Sequence, residues 1–590
     1  MEWYIFFFIS LFVFIGSVVW AICLSRLKYK SGRIINAPKA LLIGIVLTAF
    51  LLFFPIYYNE FADSDFRITE ILLFSLYNIV RLFTINCDFS LITDNIVFLD
   101  RWLKTGYTVL TLVLFVAAPL MTFGFVLSFF KNLSSYIKYI LKFHSEIYIF
   151  SNLSERSLSL AQSLISNNKK RTIVFAGVYK DDDKINDELL DGAYEIGAIC
   201  FKKEITSINF DIFHRKQKKI SFFLCSDNDS DNIEQSLLLA SDYKDRENTS
   251  LYVFSKSLEC ELIINNTDTG CIKVRRIDEV SSLIYRTLYD RGYEIFKNAY
   301  ETNDGSKKIN AVIIGVGRYG TEMLKSLSWF CQMDGYTVEI NAFDKEKNAE
   351  KVFKSLCPEL MDERHNGNFS VEDDAKYKIN FYSGADVNSS DFDNSILSLN
   401  NITYVFVSLG DDELNISVSV KLRTMLRRAG VNPQIQSVVY SSQKKKALDG
   451  VRNSKKQPYD IEFIGDMETS FSESVILSSD IESAALARHK KWGEEDTFRK
   501  YEYNYRSSVA SVIHKKMKIA CGIPGADKAV EQRNDEEKMR IRVLEHNRWN
   551  AYMRSAGYCY SPVRDELAKT HPNLVPFNEL PEEIKKNDDD

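Results

Sequence analysis

The sequence predicts a multi-domain protein: an α-helical transmembrane region, then two α/β Rossmann-like units, then a small, mostly α-helical domain. Three observations predict it. The longest apolar runs lie mostly before residue 131, short apolar strands alternate with helical stretches after residue 144, and one such strand leads into a glycine turn. At 590 residues the chain is too long for one core. We expect domains at residues 1–143, 144–300, 301–480 and 481–590.

Composition narrows the range of functions. A net charge of -5 gives no general reason to expect nucleic acid as a partner. The ten cysteines form no CxxC pair and have no histidine-rich neighbourhood, so the sequence predicts neither a metal site nor a disulfide framework.

Three segments are apolar and long enough to cross a bilayer as helices, namely Trp3–Leu24, Ala40–Tyr58 and Gly106–Phe130. Cations follow the first and the third of them: Arg26, Lys28, Lys30, Arg33, Lys131, Lys138 and Lys142. Because cytoplasmic loops carry an excess of Lys and Arg, we expect the N-terminus outside and the C-terminal domains in the cytoplasm. The predicted location is the inner (plasma) membrane, with the lipid bilayer as a partner.

A fourth apolar segment, residues 68–85, carries Glu70 and Arg81 and is short for a full crossing. If it crossed, everything after residue 131 would be extracellular, against the lysines found there. We therefore predict an interfacial or re-entrant helix, with Arg81 either an interfacial anchor or part of a polar pathway in an oligomer. A TVGYG potassium filter is missing, and Thr105-Gly106-Tyr107 is the nearest string.

The α/β region reads as two copies of one unit. The first copy has predicted strands at Ile147–Phe150, Thr172–Ala176, Ile220–Cys225, Leu251–Ser255 and Ile272–Val274. The second has them from Val312, then at Thr337–Phe343, Thr403–Ser408, Gln436–Tyr440 and Ile461–Ile464. Both copies place acids and an asparagine, Asn232 or Asn415, where a strand gives way to a helix, which is typical of helix capping and turns.

The second copy contains the nucleotide-binding pattern of strand, glycine turn, helix, strand and acid. Gly315 permits a tight turn, Gly317 lets the backbone approach a pyrophosphate, Gly320 lets the helix pack on the strand, and Asp344 can accept ribose hydroxyls. Arg318 is a further expected ligand contact. The alternative is a turn kept only for packing.

The first copy has Ser151–Ser157 in place of the glycine turn. Side chains at Leu153 and Arg156 would obstruct a pyrophosphate, so we expect this copy to be a structural or interface partner. Alternatively, Arg156 binds an anion other than a pyrophosphate, which would give the first copy a ligand of its own.

With membrane spans followed by two such units, the chain resembles the tandem regulator-of-potassium-conductance family (RCK, or TrkA N-terminal domains) over residues 144 to about 480. The resemblance implies a ring of units beneath a pore, which ligand binding spreads or tightens. Two units per chain would then imply a homotetramer.

The tail is predicted to hold a long helix from Asn534 to Ser555, on which Glu545, Trp549 and Tyr552 share a face. An aromatic core stripe is one interpretation. The segment Leu544–Asp588 also resembles the RyR domain, the repeat named from ryanodine receptors, through Glu545, His546, Trp549, Gly557-Tyr558, the run from His571 to Pro576, and Leu580-Pro581. Tyr558 departs from the tryptophan frequent there.

The RyR resemblance implies that the tail senses a nucleotide-derived signal. Trp549 and Tyr552 would stack on a base beside His546, while phosphate would meet cationic side chains of the tail. Those side chains are Arg548, Arg564, Lys569 and His571.

Three functions remain open. The first is a ligand-gated membrane channel or effector, regulated by an NAD-, ADP-ribose- or cyclic-nucleotide-like ligand. In prokaryotes this arrangement would suit an effector of antiviral defence. The second is an RCK-regulated potassium channel or transport regulator. The third is a membrane-anchored NAD-dependent enzyme, which the sequence disfavours because no substrate domain follows the second copy and no HExxH or Ser/His/Asp order is present.

Overall fold

The computed structural model describes residues 2–26, 37–63, 65–87, 89–129, 131–141, 146–178, 187–211, 218–303, 305–452 and 459–589. The chain divides into two compact units, Met1–Leu141 and Lys142–Asp590. The cations at positions 28, 30, 33 and 142, used above for orientation, lie outside the described residues.

The described residues of the first unit form helices joined by turns and short loops. Its helices are α1 (Glu2–Arg26), α2 (Ala37–Glu60), α3 (Arg67–Phe83), α4 (Ser90–Asn95), α5 (Arg101–Phe129) and α6 (Lys131–Leu141). Aliphatic and aromatic side chains of α1, α2, α3 and α5 form one core, in which Phe53, Leu103 and Tyr107 are almost fully buried.

Within the described residues, three helices are long and apolar enough to cross a membrane: Trp3–Cys23, Lys39–Glu60 and Arg101–Gly124. The protein is therefore membrane-associated. Helix α5 begins at Arg101, five residues before the predicted third span, Gly106–Phe130. Helix α3 has only 17 residues, and Arg81 near its end donates to the Asn86 carbonyl at 2.8 Å. Its interfacial or re-entrant placement stays a prediction.

The second unit contains two parallel sheets of the same topology. The first sheet is built from β1 (Ile147–Phe150), α7 (Glu155–Asn167), β2 (Thr172–Phe175), α8 (Asp187–Glu195), β3 (Ile199–Cys200), β4 (Ile220–Leu224), α9 (Asp229–Asp242), β5 (Thr249–Phe254), α10 (Leu258–Asn266), β6 (Lys273–Ile277), α11 (Glu279–Arg291) and α12 (Tyr293–Lys297). The strand order is β3-β2-β1-β4-β5-β6, which is the Rossmann order.

The second sheet repeats that order as β10-β9-β8-β11-β12-β13, with the short β7 antiparallel to β8. Its elements are β7 (Tyr300–Glu301), β8 (Lys307–Ile314), α13 (Arg318–Phe330), β9 (Tyr336–Asp344), α14 (Ala349–Leu356), β10 (Tyr377–Ser383), α15 (Ser390–Ser398), β11 (Tyr404–Val407), α16 (Asp412–Arg428), β12 (Gln434–Val438), α17 (Ser442–Arg452), β13 (Ile461–Ile464), α18 (Met467–Ser470) and α19 (Glu473–Ile476). The two Rossmann-like sheets are thus as predicted.

The shared acid and asparagine cluster has the same structural role in both copies. Asn232 accepts from the Ser226 N–H at 2.9 Å and donates to the Phe254 carbonyl at 2.8 Å. Asn415 accepts from the Leu409 N–H at 2.6 Å and donates to the Val438 carbonyl at 2.9 Å. Each buried amide therefore ties the loop after one strand to the end of the next.

The two copies exchange helices. Val280, Ile284 and Leu288 of α11, which follows the last strand of the first sheet, belong to the core of the second sheet. In return, residues 471–477 around α19, which follow the last strand of the second sheet, pack into the core of the first. Each sheet is thus covered in part by the other copy's helices.

The tail completes the second unit. It comprises α20 (Ser479–His489), α21 (Thr497–Lys500), α22 (Glu502–Ala520), α23 (Asp535–Ser555), β14 (Cys559–Tyr560), β15 (Thr570–His571) and α24 (Glu582–Lys585). Asn534 starts α23 with a capping box that also uses Glu537. Helix α23 packs on α13, where Tyr552 meets Trp329 at 6.3 Å between ring centroids.

Candidate functional site

A cleft of about 670 Å³ opens at the carboxyl ends of the second sheet's strands. The loops after β8, β9, β10 and β11 line it. The strand order reverses between β8 and β11, and ligands of such sheets bind in the crevice at that switch point.

Two of the three glycines are required by close packing. Gly315 has a φ of +85°, and a Cβ there would overlap the Ser408 carbonyl oxygen. A Cβ on Gly320 would overlap the Gly315 carbonyl oxygen. Gly317, the N-cap of α13, differs because a Cβ there would meet no atom within 4 Å, so its open side faces free space. That space is what a phosphate close to the backbone would need.

Asp344, at the end of β9, holds the glycine turn. One carboxylate oxygen accepts the Val316 N–H at 2.6 Å, and the other accepts the Glu346 N–H at 2.8 Å. Because each oxygen has two acceptor positions, these bonds fix the carboxylate and leave capacity for ribose hydroxyls.

Arg318 lines the cleft, but its guanidinium is already engaged. It donates to both oxygens of Glu279, at 2.7 and 3.0 Å, and to Asp278 at 2.9 Å. Although burial opposes it, the bond to Glu279 raises the pKa of Arg318. Both acids lie at the start of α11, so Arg318 joins the two copies at the edge of the cleft.

The rest of the cleft wall has an acidic part, near Asp344, and an apolar part, formed by α14. Glu346 and Asp386 lie near Asp344, with Lys345 as a nearby cation. Val352 and Leu356 of α14 are about half exposed, at 50% and 51%, although both are apolar. An exposed apolar wall next to a fixed carboxylate suits a flat base attached to a ribose.

The corresponding region of the first copy is arranged differently. Ser154 caps α7 together with Ser157, so the N-terminus of that helix is closed by its own side chains. Leu153 is buried, and Arg156 makes an exposed ion pair with Asp227 at 2.9 Å.

The tail has its own pocket, of about 170 Å³. It brings together five of the predicted ligand residues: His546, Arg548, Trp549, Arg564 and His571. The Trp549 ring lies 5.7 Å from the His546 ring and 5.0 Å from the His571 ring, measured between centroids. We call this cavity the tail pocket.

Two other predicted residues lie elsewhere. Tyr552 and Lys569 line a separate cavity shared with α10, α13 and α22. The Tyr552 side chain is buried, and the Lys569 ammonium donates to the Ala556 carbonyl at 3.2 Å. Periodicity placed Tyr552 on the face of Trp549, but α23 is buried on several sides.

The sequence reasoning missed Arg488, Ser508 and Asp588, which also line the tail pocket. Arg548, predicted to meet phosphate, is 1% exposed and donates to Glu545 at 3.0 and 3.2 Å.

No family model matches the chain, and no curated protein matches it. Two solved structures share 15% sequence identity, covering 74% of this chain and 95% of theirs: a crystal structure of GsuK bound to ADP, with a TM-score of 0.34, and one of a GsuK point mutant, with a TM-score of 0.31. Scores this low carry no argument about site or function. The Rossmann-like architecture rests on the strand order itself, and the RCK and RyR resemblances stay predictions.

Proposed function

We propose that the protein is a nucleotide-regulated membrane channel or effector, in which a ligand in the cleft of the second sheet changes the permeability of the helical membrane unit. The observation that supports it best is the cleft itself: an open approach at Gly317 lies beside a carboxylate fixed on the glycine turn.

The phosphates of the ligand would sit at the start of α13. The first N–H groups of a helix have no partner within the helix, and the helix dipole favours negative charge there. The Val316 N–H is used by Asp344, so the N–H groups of residues 318–320 are the donors we assign to phosphate.

The acids at the ribose end select against a further phosphate. Glu346 and Asp386 line the cleft with Asp344, so a 2′-phosphate would meet concentrated negative charge. We therefore expect ADP and NAD to bind more tightly than NADP. Ion flux, if the membrane unit forms a pore, would require an assembly of several chains, and we propose a homotetramer.

A structural path leads from the cleft to the tail. Helix α14 forms the apolar wall, and the residue after it, Cys357, contacts the Ser555 carbonyl at the end of α23 at 3.2 Å. A base packed on Val352 and Leu356 would thus bear on the tail helix. The first strand of the first sheet follows α6 of the membrane unit after residues 142–146, so the chain itself connects the soluble unit to the membrane helices.

Binding to the detergent-solubilised full chain tests the ligand. Titration calorimetry with ADP, NAD and NADP should show Gly317→Val losing affinity for ADP and NAD without a lower melting temperature. Gly450→Val is the matched control, since Gly450 also has no atom within 4 Å of a Cβ and lies on α17 outside the cleft. Unchanged affinity in Gly317→Val would show that the glycine turn is only structural.

Permeability tests the gating. Liposomes containing the protein should pass ions when ADP or NAD is added on the side of the soluble unit, and Gly317→Val liposomes should not respond. We propose binding without turnover, so steady consumption of the nucleotide would contradict the proposal, as would flux that ignores every nucleotide. Mass measurement of the solubilised assembly tests the tetramer.

A further inference from the structure

The tail pocket is closed on one side by the last described residues. Helix α24 and the turn after it contribute Ile584, Asn587 and Asp588 to its lining. We call residues 582–589 the strap. The other walls come from α20, α22, α23 and the residues before and after β15.

The inner wall of the tail pocket is cationic. Arg488 and Arg548 line it with Glu545, and their side chains are 9%, 2% and 3% exposed respectively. Arg548 is bonded to this glutamate, whereas the Arg488 guanidinium lies 4.0 Å away. Arg564, at the mouth, is paired with Glu566. Two buried guanidiniums beside one carboxylate make this wall favourable for a further negative group.

Two buried polar atoms in the wall of the tail pocket lack a hydrogen-bond partner among the described residues. Among the described residues, neither Arg548 Nη1 nor Ser508 Oγ has a hydrogen-bond partner, although both atoms are buried and both residues line the pocket. Buried donors without partners are rare, and a ligand is one explanation for them. A phosphate oxygen is a strong acceptor for a guanidinium N–H and a hydroxyl together.

The strap places its own acceptors at this position. The Asp588 carboxylate lies 3.2 Å from His546 Nδ1, and Arg488 donates to the Asn587 carbonyl at 3.3 Å. Arg542 then holds Asp589 through two bonds of 2.7 Å. The strap therefore presents a carboxylate and a carbonyl to the cationic end of the pocket.

The free volume limits what fits beside the strap. A cavity of about 150 Å³ holds a benzene molecule, and the tail pocket has about 170 Å³. Aromatic rings of Trp492, Tyr503 and Trp549 line it, so one flat ring system has both room and stacking partners. A nucleotide with its phosphate would need the space that the strap occupies.

We propose that the tail pocket is a second ligand site, specific for a phosphate-bearing aromatic ligand of mononucleotide size, and that the strap occupies its phosphate end until the ligand displaces it. The base stacks on Trp549, and the phosphate meets Arg548 Nη1 and Ser508 Oγ after displacing the strap, whose Asn587 carbonyl now accepts from Arg488 and whose Asp588 carboxylate lies beside His546. The tail pocket shares no lining residue with the cleft, so this proposal is tested separately from the proposed function.

Calorimetry on the full chain carrying Gly317→Val tests the site with the cleft silenced. The probes are AMP, adenosine and inorganic phosphate. AMP should bind more tightly than either fragment, because only AMP uses both the rings and the guanidiniums. The double variant Asp588→Asn, Asp589→Asn should bind AMP about tenfold more tightly, which corresponds to about 1.4 kcal/mol. Glu583→Gln, which changes an exposed acid of the strap, should leave affinity unchanged.

Arg548→Lys tests the phosphate contact. It keeps a positive charge opposite Glu545 but lacks the unpartnered Nη1, so it should lower AMP affinity at least about tenfold while adenosine binding stays the same. If its melting temperature falls, Ser508→Ala replaces it and should weaken AMP but not adenosine.

Trypsin tests the displacement. Cleavage after Lys585 and Lys586 should become faster when AMP is added, because both lysines belong to the strap. Three results would overturn the proposal: no binding by any probe to either strap form, AMP affinity unaffected by the double variant, or cleavage that AMP slows. Binding of ADP to the Arg548→Lys chain with Gly317 intact reports separately on the proposed function, because the phosphate contact of the tail pocket is then removed while the cleft is unchanged.

Discussion

The Asp344 carboxylate accepts the N–H of Val316 at 2.6 Å, which places the acid at the end of one strand in direct contact with the glycine turn at the end of its neighbour. The shape of the turn and the position of the acid are therefore set by one another. A ligand whose ribose bonds to Asp344 would therefore have its phosphate at the glycine turn, whose shape the same carboxylate fixes.

Asp344→Asn should weaken ADP binding about tenfold or more and lower the melting temperature slightly. An amide has one acceptor oxygen in place of two, so one of the two N–H groups now held loses its bond to the side chain, at a cost of about 0.5–1.5 kcal/mol. Calorimetry and thermal melting measure the two effects. Glu350→Gln, an exposed acid on α14, is the control and should alter neither.

Gly320→Ala should destabilise the protein, in contrast to Gly317→Val. Its Cβ would overlap the Gly315 carbonyl oxygen and lie 3.0 Å from Ser408 Oγ, so the turn must shift. Overpacking of this kind costs about 1–3 kcal/mol. A melting temperature equal to that of the unaltered chain would show that the turn accommodates the added Cβ without strain.

Arg318→Gln should cost more stability than the equivalent change in the first copy. The Arg318 side chain bonds to Glu279, which is 8% exposed, so its removal leaves a buried carboxylate short of a partner, at about 1–3 kcal/mol. Arg156→Gln is the matched control. Its pair with Asp227 is exposed, and such pairs contribute about 0–1 kcal/mol. Equal melting temperatures for the two variants would mean that Arg318 does not join the copies.

Asp374→Asn should detach the tail from the second copy. Asp374 accepts from Arg554, which is fully buried, at 3.0 Å and from Asn550 at 3.2 Å, so the variant leaves a buried guanidinium uncompensated, at about 3–5 kcal/mol. Burial alone would raise the pKa of Asp374, but His365 and Arg554 hold it well below its usual range.

Hydrogen exchange across α23 and thermal melting would report that loss. Asp373→Asn is the control, because its φ of +58° suits asparagine and its carboxylate accepts no hydrogen bond from the residues that the structure describes. Similar exchange in the two variants would exclude the Asp374 clamp.

Acid should destabilise the tail below pH 6.5. Burial, and then the charge of Arg564, lowers the pKa of His571 to about 4. The unfolded chain takes up this proton near its ordinary pKa of about 6.5, so the contribution is complete above pH 6.5 and declines as the pH falls toward 4. Melting between pH 7.5 and 5 should show a smaller fall for His571→Gln. An equal fall would assign the pH dependence to other groups.

The sequence predicted strands such as β1 and β11 because each is a short, fully buried apolar run. It missed β3 and β10, the same edge strand in both copies. β3 has two residues, and β10 alternates polar with apolar side chains because it is covered on fewer sides. Edge strands depend on the neighbour they pair with, which local pattern does not show.

The site residues divide in the same way. The glycine turn was found because Gly315, Gly317 and Gly320 are close in sequence and Asp344 follows at a typical distance. The tail pocket joins Arg488, Ser508 and Asp588 through packing of separate helices, so no spacing could predict it. A continuous run of buried residues from Leu544 to Ser555, broken only at Trp549, also hid which face of α23 meets the pocket.

The exchanged helices have a mechanical consequence. Helix α11 lies in the core of the second sheet, and residues 471–477 lie in the core of the first. A rotation of either sheet would therefore also move a helix that is joined to the other sheet. Arg318 links the first turn of α13 to the start of α11. We therefore expect a ligand that displaces α13 at the phosphate position to move both sheets together.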